Sequence, residues 1–252
     1  MIKNNLVNHS DASSSAIQLI GVTREFVVGG VLTTALDDIH LSIQNGEFVS
    51  VVGRSGSGKS TLMNMVTGID HPTQGDVVVM GTHTHQLPEN QMAAWRGSNL
   101  GIVFQFYQLL PTLSLLDNVV LPMQLINTIR HTDQLERAKD LLKAVDLWEK
   151  KDKYPAQLSG GEQQRAAVAR AMANDPPILI ADEPTGNLGS SEAGQVLALL
   201  SRMVSSGKSV VFVTHDLELA NTAHRKITLS DGRIIDDSKI NSPRKKAVKR
   251  KR

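Results

Sequence analysis

Gly53-Arg54-Ser55-Gly56-Ser57-Gly58-Lys59-Ser60 is the string in this chain with the most specific chemistry. It matches G-x-x-x-x-G-K-[ST] in full. Glycines at 53, 56 and 58 let the backbone curl, so that the N–H groups of 53–58 converge on phosphate oxygens. A helical pattern over 61–66, opening at Thr61, adds the positive end of its dipole. Lys59 is then placed to reach the β- and γ-phosphates, and the Ser60 hydroxyl to ligate Mg²⁺. A chance glycine-rich turn is the bland alternative, but the string follows an apolar run at 48–52 and precedes a helix, the context such a loop requires.

Three further groups stand at the ends of apolar runs. Ile178-Leu179-Ile180-Ala181 leads into Asp182-Glu183, where Asp182 is suited to holding Mg²⁺ indirectly and Glu183 to polarising an attacking water. Val211-Phe212-Val213-Thr214 leads into His215, placed to hydrogen-bond a γ-phosphate and orient the water. Gln105 follows Ile102-Val103-Phe104, and its amide is suited to touch Mg²⁺ or water. Taken singly, each is also what an ordinary strand ending at a polar surface looks like. Beside the phosphate loop they form a catalytic set: Glu183, His215 and Gln105, with Ser60, Gln105 and Asp182 on the metal.

These groups must be delivered by strand tips. Short β-branched runs at 17–22, 48–52, 77–80, 102–104, 178–181, 210–213 and 227–229 alternate with helical patterns, which predicts βαβ units around a largely parallel sheet. The run at 48–52 is too continuously apolar for a half-exposed strand and suits a sheet covered on both faces. Asp231-Gly232-Arg233 reads as a hairpin turn. From about 106 to 158 the strand signal fades. Leu135, Ala138, Leu142 and Val145 share one helical face there, with Asp133 and Glu136 placed to cap its start. We read this as a helical insertion in an α/β core.

Composition narrows the function further. The 252 residues are 40% hydrophobic and 21% charged, ordinary globular values. The absence of cysteine excludes disulfides, cysteine-ligated metal centres and thiol nucleophiles. Seven of the 27 Lys and Arg residues lie in the last nine positions, leaving the rest mildly acidic and nucleic acid an improbable partner. The basic tail at 241–252 suits contact with anionic lipid, although such runs are usually only solvated. Residues 1–15 read as a disordered polar arm without the apolar core of a secretion signal, so a cytoplasmic location is expected. The uncharged stretch 97–116 contains Asn99, Gln105, Gln108 and Pro111, poorly suited to a bilayer helix. His83 and His85, with no cysteine or third ligand near, read as a surface turn rather than a metal site.

One motif sets this set apart from other phosphate-loop enzymes. Leu158-Ser159-Gly160-Gly161-Glu162-Gln163-Gln164-Arg165 precedes an alanine-rich helix, and Ser159 with two glycines makes a second anion-binding cap. The string resembles the signature of ATP-binding cassette (ABC) proteins, and the other motifs occur in that family's order over about 17–237. Phe104-Gln105-Phe106-Tyr107-Gln108-Leu109-Leu110-Pro111 and Asp182-Glu183-Pro184-Thr185-Gly186-Asn187-Leu188 look most like the lipoprotein-release and macrolide-export branch, which also includes the cell-division ATPase of the FtsE type. The resemblance implies a phosphate-loop, RecA-like core over 16–240, with an antiparallel β subdomain and a helical subdomain at about 106–160. It implies a head-to-tail homodimer in which Ser159, Gly160, Gly161 and Glu162 close on the ATP held by the partner's phosphate loop. Phe26 matches the position of an aromatic that stacks on adenine; a plain core residue is the alternative.

Two departures stand out. Gly189 replaces the aspartate that usually follows Asn187-Leu188 and helps couple the two nucleotide sites, and Arg54 stands where proline is common. By resemblance, ATP hydrolysis drives an integral membrane permease that exports or extracts a lipid, lipoprotein or amphiphile, with the chain peripheral on the inner face of the membrane. The segments 106–116 and 119–123 are candidates for a partner's groove or for simple packing. The alternatives are an FtsE-like regulator or scaffold and a nucleic-acid- or ribosome-associated ATPase; the interval from Gln105 to Leu158 is too short for a long coiled-coil arm.

Overall fold

The computed structural model describes residues 15–240, so the arm expected at 1–15 (Ser15 apart) and the tail at 241–252, with its lipid contact, lie outside the described residues. In chain order the strands are β1 Ser15–Val28, β2 Val31–Gln44, β3 Phe48–Val52, β4 Gln74–Val79, β5 Thr82–His83, β6 Leu100–Val103, β7 Ile178–Asp182, β8 Ser209–Thr214, β9 Arg225–Ser230 and β10 Arg233–Lys239. The helices are α1 Lys59–Thr67, α2 Glu89–Asn99, α3 Leu115–Ile126, α4 His131–Ala144, α5 Gly160–Ala171, α6 Ser190–Ser205 and α7 Leu217–Ala220.

Two sheets result. One is antiparallel, in the order β2-β1-β4-β5; the other runs β10-β9-β3-β8-β7-β6, parallel except at β10. Both faces of the second sheet are covered, as the apolar run at 48–52 requires. Phe48, Leu179, Val210 and Phe212 pack with the helical segments. Their neighbours Val49, Val51, Ile178, Ile180, Val211 and Val213 pack with α1 and the antiparallel sheet. Asp231 and Gly232 both have positive φ and join Ser230 to Arg233, which is the expected two-residue hairpin. The long strand β2 escapes the run-based reading because its apolar residues alternate with polar ones: Leu36, Ile39, Leu41 and Ile43 are buried while the intervening side chains face outward.

Two local expectations are corrected in the helical insertion. Leu135 is 59% exposed; the inward face of α4 is Gln134, Ala138 and Leu142, continued by Val145. Gln134 Nε2 donates to the Ile129 carbonyl at 3.0 Å, which offsets part of the cost of burying the amide, while its Oε1 has no partner. Neither Asp133 nor Glu136 caps α4: Asp133 pairs with Arg130 at 2.8 Å and Glu136 with Lys139 at 2.8 Å. Leu115, Val119, Val120 and Met123 are buried against Val103 and Leu142, so these members of the segments 106–116 and 119–123 pack the interior. Among the described residues no helix is long and apolar enough to cross a membrane.

Candidate active site

The tip of β3 turns directly into the phosphate loop. At Gly53 an added Cβ would stand 2.3 Å from the Leu229 carbonyl oxygen, and Gly58, at φ 100°, would place one 2.5 Å from the Ala35 carbonyl oxygen. Both positions therefore need glycine for space, and Gly58 for conformation too. Gly58 is the N-cap of α1 and has no side chain to cap with, so the first N–H groups of the helix are left for an anion. Lys59 is 8% exposed, with its Nζ donating to the carbonyls of Gly53 at 2.9 Å and Arg54 at 2.8 Å. The buried Ser57 hydroxyl has no protein partner. These groups border a cleft of about 330 Å³, lined by Ser55, Gly56, Gly58, Lys59, Ser60 and Thr61 on one side, Glu183 and His215 on the other, and Ala35 from β2.

Parallel pairing of β7 with β8 sets the Asp182-Glu183 tip at the same sheet edge as His215. Asp182 receives a hydrogen bond from the Ser60 hydroxyl; burial pushes its carboxyl pKa up, that bond and Lys59 pull it down, and the balance is upward. A carboxylate short of solvation beside a hydroxyl is a donor set that fits Mg²⁺, a hard cation preferring oxygen. Glu183 has φ 44°, a left-handed conformation rare outside glycine, and its N–H donates to the Val213 carbonyl at 3.1 Å. Its two oxygens are divided. Oε2 accepts from the Gln105 amide at 3.0 Å, and Oε1 lies 3.3 Å from His215 Nδ1. Glu183, Gln105 and His215 are thereby brought together, and Ser60 and Asp182 with one another.

The signature residues lie elsewhere. Ser159 is the N-cap of α5, its Oγ accepting from the Glu162 N–H at 3.3 Å while Glu162 accepts from the Ser159 N–H at 3.0 Å. Glu162 also pairs with Lys150, which holds its carboxyl below the usual range. Ser159, Gly160, Gly161 and Glu162 do not border the chain's own phosphate cleft. Phe26 does not border it either: the ring is half-buried on β1, with the Arg24 guanidinium over one face at 4.5 Å. Arg54 is exposed and contributes its carbonyl to Lys59.

Two residues outside the sequence-read set shape the segment after Gln105. Tyr107 and Gln108 both have positive φ, at 60° and 48°, and Arg170 on α5 donates to both their carbonyls, at 2.9 and 2.5 Å. Asn118 is 1% exposed on α3; it accepts from the Leu110 N–H at 2.8 Å and donates to the carbonyls of Leu110, Leu113 and Ser114. The sequence reading missed both residues; a lone Asn between Leu115-Leu116 and Val119-Val120 could have drawn attention to Asn118, whereas nothing local marks Arg170. Downstream, α2, α3 and α5 frame a groove of about 450 Å³ bordered by Leu121, Pro122, Leu125 and Ile126.

Comparison with known proteins agrees with this arrangement. The family profile described as ABC transporter matches residues 36–186. The chain is 42% identical over 226 residues to the lipoprotein-releasing system ATP-binding protein LolD of Anaeromyxobacter dehalogenans, covering 89% of this chain and 95% of that one. It is 42% identical over 222 residues to the macrolide export ATP-binding/permease protein MacB of Hyphomonas neptunium, covering 88% of this chain but spanning about a third (34%) of that protein's length. A dimeric structure of the ATP-binding cassette MJ0796 from Methanocaldococcus jannaschii, in a post-hydrolysis state with ADP and Pi, superposes with a TM-score of 0.84 at 38% identity, covering 89% of this chain and 99% of that one. The family match spans more than half of the chain: this chain belongs to the ABC transporter family.

Proposed function

We propose that the chain binds ATP with Mg²⁺ and hydrolyses it as a head-to-tail homodimer, powering a membrane permease that exports or extracts a lipid, lipoprotein or amphiphilic compound. Glu183 carries the reading: it borders the phosphate cleft, and its carboxylate is oriented by Gln105 on one side and His215 on the other. That geometry suits a base that positions and polarises water for in-line attack on the γ-phosphorus. Lys59 and the α1 N-terminus hold the phosphates, and Ser60 with Asp182 would hold Mg²⁺. When bound, the ion neutralises charge on the β- and γ-phosphates. Gln105 is the third metal-set residue in this proposal: with its amide nitrogen on Glu183, its amide oxygen would be offered to the ion.

The dimer follows from what one chain leaves undone. Ser159, Gly160 and Gly161 present a helix N-terminus away from the chain's own cleft, so they act on a nucleotide only in a second copy. Of the signature residues Glu162 serves by capping, since its carboxylate is engaged by the Ser159 N–H and Lys150. Phe26 offers one ring face to adenine opposite Arg24. The groove bordered by Leu121, Pro122, Leu125 and Ile126 receives a helix of the membrane partner, which puts the chain on the inner face of the membrane. Two of the relatives named above, LolD and MacB, are named for lipoprotein release and macrolide export, and the scaffold and nucleic-acid readings have no observation in their favour.

Light scattering of Glu183→Gln with and without MgATP tests the proposal. The expected result is an ATP-dependent dimer with turnover reduced by about 10²–10⁴. A monomer at saturating nucleotide, or undiminished turnover, overturns it. In parallel, Lys59→Ala should weaken nucleotide binding.

A further inference from the structure

The edge of the antiparallel sheet brings together three side chains of metal-ligating type, Asp76, His83 and His85. Residues 76 and 78 share the outward face of β4, and pairing of Val78 with His83 sets that imidazole on the same face as Asp76. The short turn 84–86 then folds back and returns His85 to the group. His83 Nδ1 and His85 Nε2 each lie 3.4 Å from the same oxygen, Asp76 Oδ1, and all three atoms stand within 4.8 Å of one another. The sequence pattern misses this third ligand because it sits seven residues upstream, on the partner strand of a hairpin.

We propose that Asp76, His83 and His85 form a binding site for a divalent transition ion of the Zn²⁺ type, separate from the nucleotide cleft. Ligands on a tetrahedral ion at about 2.0–2.1 Å stand roughly 3.3–3.4 Å apart, the separation already present on two edges of this triangle. The outer sphere fits as well. His85 Nδ1 lies 3.3 Å from both the Val77 N–H and the Val77 carbonyl, and in the tautomer whose Nδ1–H donates to the carbonyl Nε2 keeps its lone pair for the ion. His85 is 17% exposed and held in place, whereas His83 and Asp76 are half-exposed and leave an approach from solvent. The exposed Gln86 amide, 3.4 Å from His85 Nε2, is free to swing aside. Two imidazoles and one carboxylate favour Zn²⁺ over the Mg²⁺ used with nucleotide, which prefers all-oxygen octahedral shells. The ion would clip the two-residue strand β5 to β4, stabilising the hairpin that leads to α2 and on to β6 below Gln105.

Calorimetric titration of the tag-free full chain with Zn²⁺, in excess Mg²⁺, tests the site, with Co²⁺ absorption spectra reporting imidazole ligation. One equivalent should bind at micromolar concentration or tighter and raise the melting temperature. His83→Ala and Asp76→Asn should each weaken binding by at least the roughly 10–100-fold that loss of an outer-sphere partner costs, and Asp182→Asn should leave it unchanged. Because His83 is half-exposed, His83→Ala should keep the metal-free melting temperature, so it carries the test even if His85→Ala fails to fold. Absence of binding, or equal affinity in His83→Ala and wild type, overturns the assignment.

Discussion

The Gln105 amide donates to the Glu183 carboxylate over 3.0 Å, joining two residues 78 positions apart at the mouth of the phosphate cleft. Gln105 also begins the segment that leads into the helical insertion, so that segment and Glu183 are joined directly. This single bond connects the surface suited to a partner with the proposed hydrolytic base. Gln105→Ala should therefore lower kcat by about 10–100-fold, the rate equivalent of the 1.5–3 kcal/mol typical of a hydrogen bond to a charged group. Steady-state kinetics should show KM for ATP nearly unchanged. A rise in KM at constant kcat would instead make Gln105 a binding residue.

Arg170 acts one step further out. Its guanidinium holds the carbonyls of Tyr107 and Gln108, two successive non-glycine residues in left-handed conformation, each costing on the order of 1 kcal/mol. Burial lowers the pKa of that guanidinium. Lysine cannot reproduce the paired donors. Arg170→Lys should relax the turn and reduce turnover several-fold while the phosphate loop keeps its affinity. Equilibrium nucleotide binding measured beside kcat separates the two effects, and equal losses in both would remove Arg170 from this positioning role.

The α5 N-terminus carries a pH dependence. Lys150 and the Ser159 N–H hold the Glu162 carboxyl below its ordinary value. A depressed folded-state pKa means that the stabilisation is present above the unfolded carboxylate range and is lost as pH falls through the folded value. Glu162→Gln keeps a side-chain oxygen for the capping box but gives up the charge. Wild type should melt about 1–3 °C above this variant at neutral pH, given 0.2–1 kcal/mol for an exposed pair, and the gap should close on acidification below about pH 4. A gap independent of pH would place the effect in packing rather than charge.

Gly189 is the N-cap of α6, with φ −65° and ψ 158°, and a Cβ added there meets nothing within 4 Å. Aspartate fits this backbone without strain and is a good cap, so Gly189→Asp should raise stability by a few tenths of a kcal/mol. If that carboxylate reaches across the proposed dimer, the Hill coefficient for ATP hydrolysis should also rise. An unchanged coefficient in a stabilised variant would make the glycine neutral for coupling.

The phosphate loop, the acidic strand tip and the capped signature were legible from residue types because each is a local device. Glycines set a turn, an apolar run buries a strand, and a serine three residues before a glutamate starts a helix. These constraints act within about ten residues, and the chain alone settled them. It also settled the two-sided burial of β3, through the continuous run at 48–52. What needed the fold were contacts between side chains on different elements, some of them only a few residues apart in sequence. The inward face of α4 depended on Gln134 finding the Ile129 carbonyl, against the hydrophobic pattern that favoured Leu135. The hold of Arg170 on 107–108 and the meeting of Asp76 with His83 and His85 came from helix docking and strand register. Such contacts arise when long-range burial selects one packing, and no periodicity within a single segment encodes which side chains will then be neighbours.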